Sequence, residues 1–229
     1  MTELKKLGSA QTRKTYARHG APENMFGTSV ADMKIIAKKI KGKQDLALEV
    51  YDSLNADAQY LAGIVADGSQ MSKAQLNKWV KDATWYMVSE YSVPGVASES
   101  KHCRELALKW MKSKTEHVQA AGWATYAAML SVNDDSELDL KEIKGLLKQV
   151  EKEIAGAKNR VRYSMNGFVI SVGTYVKGLL KDSKATAKKI GKVDVNMGDT
   201  SCKVPLATEY IAKVEKRGTI GKKRKTAKC

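Results

Sequence analysis

The segment from Trp79 to Tyr91 concentrates the side chains best suited to chemistry. Trp85 and Ser89 lie four residues apart, which places them on one face of a helix. Glu90 follows one step around. Trp79, Trp85, Tyr86 and Tyr91 cluster in a chain that is only 7% aromatic. Two readings are open. The rings can be core packing, since tryptophan is largely buried in most folds. They can equally form a stacking or CH–π platform beside a carboxylate.

A second segment runs from Lys158 to Gly173. Helical spacing lets Arg160 share a face with Tyr163, and Arg162 with Asn166. Such side chains suit phosphate and other polar contacts. They equally suit a solvated helix face. Gly167 and Gly173 sit inside this helical pattern, each at a cost of about 1 kcal/mol relative to alanine. A glycine there marks close approach of another backbone or a ligand.

Other chemistry is excluded by motif. The chain contains no P-loop, no GxGxxG, no HExxH and no GxSxG. His19, His102 and His117 are far apart in sequence. His102 and Cys103 are adjacent, but neighbours on a helix point about 100° apart, so no metal site is expected. No small-molecule cofactor is expected either. The cysteines, Cys103, Cys202 and Cys229, are odd in number and form no CxxC pair. Neither a disulfide framework nor a zinc knuckle is expected, and reduced thiols point to the cytoplasm. The first ten residues lack the apolar stretch of a signal peptide. No apolar run is long enough for a membrane span.

These residues need elements to hold them, and the chain reads as helix after helix. Alanine, lysine and leucine dominate, and only three prolines occur among 229 residues. The expected fold class is all-α. Ser29 opens a helix with Val30, Met33, Ile36, Ala37 and Ile40 on one stripe, stopped by Gly42. Helices follow through Leu46–Leu54 and Ala58–Val65. Ser72 with Gln75 reads as a capping box. The helix carrying Trp85 is expected to break before Pro94-Gly95. Further helices are expected at 99–113, 116–131, 137–155, 159–178, 183–191 and 205–217.

A faint repeat accompanies them. Leu46-Ala47-Leu48 with Ala58-Gln59 returns sixty residues later as Leu106-Ala107-Leu108 with Val118-Gln119, and a weaker copy places Val161-Arg162 at the corresponding point. Paired helices that repeat suggest an α-solenoid whose second helices line a concave face. Gln59, Gln119 and Arg162 would then form one polar column on it.

The net charge is +15. It points to a polyanion, most simply nucleic acid. Residues 216–229 carry seven lysines and arginines and no acid, which leaves +8 for residues 1–215. The expected organisation is one helical-repeat domain over 1–215 and a disordered basic tail over 216–229.

Several of these segments together resemble the AlkD-type DNA alkylation repair family. The likeness is carried by Phe26-Gly27, Met33-Lys34, Ala37 to Ile40, Leu46 to Glu49, Ala58 to Ala62, Trp79 to Asp82 with Trp85, Val118 to Trp123, and Val161-Arg162 with Ile170 to Gly173. It spans roughly residues 12–180. The resemblance implies stacked antiparallel HEAT-like helical pairs with a concave basic face that holds duplex DNA, alkylated in the active members. Those members are monofunctional glycosylases that hydrolyse the N-glycosidic bond of N3- or N7-alkylated purines. Such a base is already cationic and leaves easily. A carboxylate stabilises the growing oxocarbenium charge or positions water.

Carried over residue by residue, the resemblance places Trp85 at the family tryptophan and Ser89 at the catalytic aspartate. Serine supplies no negative charge. Glu90 is the adjacent carboxylate and the candidate replacement. The family arginine falls at about Ala120 and the second tryptophan at about Gly167. Trp123 would supply part of the lost aromatic surface or serve in the core. Trp85, Ser89 and Glu90 are thus the candidate catalytic group. Arg160, Arg162, Asn166, Gln59, Gln119 and Trp123 are the candidate DNA contacts. A monomer is expected. Two readings follow: a glycosylase with a rearranged site, or a HEAT-like module that grips DNA without chemistry. A protein–protein scaffold is a third.

Overall fold

The computed structural model describes residues 1–228. Its helices are α1 (Thr2–Leu7), α2 (Ala10–Arg18), α3 (Val30–Lys39), α4 (Gln44–Asp52), α5 (Ala56–Val65), α6 (Lys73–Asp82), α7 (Val93–Ala97), α8 (Cys103–Met111), α9 (Glu116–Val132), α10 (Leu140–Glu153), α11 (Asn159–Tyr175), α12 (Leu180–Ile190) and α13 (Ala207–Lys216). The all-α expectation holds. Helices α1 and α2 lie before the first expected element. Leu4 anchors α1 in the core, and the Thr28 hydroxyl donates to its carbonyl at 2.8 Å.

Local chemistry sets the boundaries. Ser29, Asn55 and Asp139 each accept a backbone N–H at a helix start, at 3.0–3.2 Å. The Ser72–Gln75 capping box forms as expected, with both reciprocal bonds present.

The helices stack in two layers. One contains α5, α7, α9 and α11, each touching the next. Against it pack the helices of the other: α4 on α5, α8 on α9, and α10 and α12 on α11. We call the exposed side of the first layer the inner face. The core runs through both layers, with Met33 and Leu61 in the N-terminal part, Leu76, Trp79 and Trp110 in the middle, and Trp123, Leu147 and Phe168 in the C-terminal part.

Two glycines set the spacing of the layers. A Cβ on Gly122 would lie 2.4 Å from the Met111 amide nitrogen, so α8 and α9 touch through backbone. A Cβ on Gly173 would meet Ile211 of α13 at 2.7 Å and Ser183 of α12 at 2.8 Å. Gly173 is thus closely approached, but by side chains of α12 and α13 rather than by the backbone or ligand expected. Around Gly167, by contrast, a Cβ would meet nothing within 4 Å.

The helix carrying Trp85 does not break before Pro94. Val88–Ser92 form a π-helical turn that runs directly into α7. Pro94 follows as the second residue of α7. The turn brings Ser89, Glu90 and Tyr91 onto the stack beside α5 and α9.

The basic C-terminal segment also differs from expectation, because it is not a free tail. Gly221 takes φ +79° and donates its N–H to Thr174 at the end of α11, at 2.7 Å. Arg224 donates its N–H to Ser131 at the end of α9, also at 2.7 Å. Lys223 reaches the Leu130 carbonyl at 3.0 Å and the Asp135 carboxylate at 2.8 Å. Lys228 binds the Ala66 carbonyl after α5 and pairs with Glu99 at 2.6 Å. The segment is a strap along the C-terminal ends of inner-layer helices. The last turn of a helix leaves carbonyls unpaired and carries negative dipole charge, and cations satisfy both. Composition showed the charge but not this set of carbonyls. Cys229, the last residue of the expected tail, lies outside the described residues.

Candidate functional site

Glu90 lies on the π-turn, between α5 and α9. Its carboxylate is buried and accepts two hydrogen bonds from Arg160, 2.7 Å from Nε and 2.5 Å from Nη2. The Arg160 guanidinium lies between two rings, 4.2 Å from the centre of Tyr86 and 4.5 Å from that of Tyr163. Its backbone N–H donates to Glu116 at 2.8 Å. Burial pushes the Glu90 carboxyl above its ordinary range, while Arg160 pulls in the other direction. Arg160 keeps its charge, because the Glu90 partner outweighs its own burial.

Two cavities flank this pair. One is a shallow space of about 280 Å³ that includes Trp85, Tyr86, Ser89, Glu116 and His117. The Trp85 ring is buried and donates Nε1–H to the His19 carbonyl at 2.8 Å, and it packs on Tyr16. The Tyr86 hydroxyl meets His19 Nδ1 at 3.2 Å. Ser89 is fully buried, and its hydroxyl has no protein partner. Trp85 and Ser89 thus line the same cavity.

The second cavity, about 270 Å³, is a groove between the π-turn, α9 and α11. Its floor is Ala124, Ala127, Ala128 and Gly167, with Tyr91, Tyr163 and Tyr175 along its walls. The strap closes one side with Arg224 and Ala227. Tyr91 and Tyr163 hydroxyls are 3.4 Å apart. Tyr91 and Tyr163 lie in the two segments that the sequence singles out, and the strap in its basic C-terminal stretch; Tyr175 carries no such signal, and only the fold brings all of them to one groove.

The other expected DNA contacts are placed differently. Gln59 is fully buried. It receives the Thr84 N–H at 3.1 Å and hydroxyl at 2.7 Å, and it donates to the Asp82 carbonyl at 2.8 Å. It is a brace between α5 and the end of α6. Asn166 is buried and donates to the Pro205 carbonyl at 2.9 Å. Trp123 is fully buried and packs edge-on against Phe168, so of its two expected roles it takes the core one. A polar residue on an otherwise apolar helix reads as a surface contact from sequence, but a buried backbone group can claim it first. Arg160 meets Glu90 rather than solvent. Arg162 and Gln119 remain half-exposed.

Among the described residues no group of three or more His, Cys, Asp or Glu side chains could hold a metal ion. Nor is any described helix long and apolar enough to cross a membrane.

Comparison with known proteins agrees with this architecture. Over 94% of its length the chain is 32% identical to an uncharacterized protein of Listeria innocua serovar 6a, covering 96% of that protein. A Listeria monocytogenes protein, also uncharacterized, is 31% identical with the same coverage. A solved structure matches with a TM-score of 0.90 and 37% identity over 98% of this chain and 96% of the other. It is described as a new family of proteins related to the HEAT-like repeat DNA glycosylases with affinity for branched DNA structures. The fold is thus of the HEAT-like repeat type. The sequence model of the DNA alkylation repair enzyme family covers residues 1–182, and the chain belongs to that family.

Proposed function

We propose that the protein binds DNA on its inner face, recognises structure in the DNA rather than an alkylated base, and does not use Glu90 for glycosidic hydrolysis. The observation that carries this reading is the Glu90–Arg160 pair. A carboxylate that stabilises an oxocarbenium ion must face the sugar with its charge uncommitted. Glu90 is buried, and both of its oxygens are taken by a guanidinium. Ser89, the other candidate, carries no charge. Affinity for branched DNA, stated of a relative that shares 37% of its residues, supports the binding half of the reading. The +15 net charge supports a polyanionic partner, here DNA without a cofactor.

The test compares binding with excision. Labelled branched and linear DNA are titrated with protein by fluorescence anisotropy, and methylated DNA is assayed for free 7-methylguanine and 3-methyladenine. Expected are tighter binding to the branched substrate, affinity that falls steeply from about 50 to 200 mM salt, and no released base. Release by wild type that disappears in Glu90→Gln would restore the rearranged-glycosylase reading. Salt-independent binding would remove the electrostatic one and favour a protein scaffold.

A further inference from the structure

We infer that the groove between Tyr91, Tyr163 and the strap is a binding site for an unstacked nucleobase from a single-stranded stretch of DNA. This rests on the DNA-binding reading above. The groove holds about 270 Å³. α9 gives it three alanines and Ser131, and α11 gives Gly167 flanked by Ser164 and Ser171.

Gly167 is the informative residue. Glycine inside a helix costs stability, and proteins retain it where neighbours leave no space for a Cβ. Gly122 and Gly173 meet that condition; Gly167 does not, since its Cβ would enter open space. What its missing side chain provides is room in the groove.

A second observation points to a ligand. Ser164 is 5% exposed and lines the groove, and its hydroxyl has no protein partner. Buried hydroxyls in folded proteins are nearly always paired, and this one, covered in the free protein, still has its hydrogen bonds to make. A base offers both donors and acceptors to it. Tyr91, Tyr163 and Tyr175 line the groove, and aromatic rings are the surfaces on which a base of any sequence stacks. Arg224 of the strap stands at the rim, where a phosphate of the same nucleotide would lie.

The test uses two DNA duplexes of one sequence, fully paired and with a single unpaired 5-bromodeoxyuridine bulge. Affinities for wild type and Gly167→Leu are compared. Leucine fills the groove and favours helix, so the melting temperature of the variant should equal or exceed that of wild type. The expected result is roughly tenfold weaker binding of bulged DNA, within the range for loss of one stacked base, and unchanged binding of paired DNA. Irradiation of the bulged complex should crosslink the bromouracil to Tyr91, Tyr163 or Tyr175. Equal loss on both DNAs, no loss on either, or a crosslink elsewhere on the surface would overturn the groove and leave DNA binding in place. Failure of wild type to bind any DNA would overturn the proposed function itself. Ser164→Ala gives a second reading should Gly167→Leu fail to fold: it should weaken only bulged DNA, and no change would count against the site.

Discussion

Glu90 and Arg160 stand 70 residues apart in sequence and meet through two hydrogen bonds of 2.7 and 2.5 Å on the inner face. The contact joins the π-turn to α11 across the top of α9. It also fixes the two tyrosines that sandwich the guanidinium. A single ion pair thus takes both oxygens of the carboxylate that follows Ser89 in sequence.

Breaking one side of a buried pair costs more than removing both. Arg160→Met leaves the Glu90 charge buried and should destabilise by about 3–5 kcal/mol in urea denaturation. The double variant Glu90→Leu with Arg160→Met should recover most of that loss. Additive losses would show that the two side chains are not energetically coupled.

Gly122 and Gly145 provide a matched pair of opposite sign. At Gly122 an added methyl meets the backbone of Met111 and Ala107, so Gly122→Ala should cost about 3 kcal/mol as α8 and α9 separate. Nothing lies within 4 Å at Gly145 on α10, and Gly145→Ala should gain up to about 1 kcal/mol from helix propensity. Melting temperatures moving in the same direction would contradict the packing described for α8 and α9.

Asp57 ties the N-terminal loop to α5. One of its oxygens accepts the backbone N–H groups of Phe26 at 2.6 Å, Gly27 at 2.8 Å and Thr28 at 3.4 Å. Asp57→Ala should cost about 2–3 kcal/mol by stranding these donors. Asp57→Asn keeps an acceptor and should cost less. Burial pushes the native carboxyl above its ordinary 3.8, against the pull of these N–H groups. The native state therefore holds its proton to higher pH than the unfolded chain. The stabilising contribution is complete below 3.8 and declines as pH rises through the native value. Stability of wild type relative to Asp57→Asn should follow that curve, and a difference that grows with pH would reverse the assignment.

Cys103 is buried, and burial pushes its thiol up to about 12. Native protein at pH 8 should leave Cys103 unmodified by a thiol reagent while exposed Cys202 reacts, and urea should release both. Peptide mapping of labelled native protein checks this; early labelling of Cys103 would mean that α8 and α9 open readily.

Ending the chain at Gly218 removes the strap and its contacts with Thr174, Ser131, Leu130 and Ala66. We expect a loss of about 1–3 kcal/mol, since each hydrogen bond contributes roughly 1 kcal/mol and ordering the segment offsets part of it. Hydrogen exchange should rise at the last turns of α9 and α11. Unchanged exchange there would show a strap that does not hold the helix ends.

By itself the sequence determined the class of fold, most of the helices from Ser29 onward, the starts at Ser29 and Ser72 and the resemblance to the family. Those features are local: a 3.6-residue stripe, a Ser72–Gln75 box and runs of short motifs are all read within a few turns of chain. It also placed Trp85 and Ser89 on one side of one helix, and the structure puts both at one cavity. What it left open is which side chains are spent on neighbours. Gln59, Asn166 and Arg160 look alike as polar residues on amphipathic helices. Only the stacked layers decide that Gln59 braces Asp82 and Thr84, that Asn166 holds Pro205 and that Arg160 closes on Glu90. The strap follows the same rule, since its charge is local but the helix ends that receive it come from α5, α9 and α11. Pairing across such distances depends on how the layers pack, and buried partners claim polar groups before solvent or DNA can.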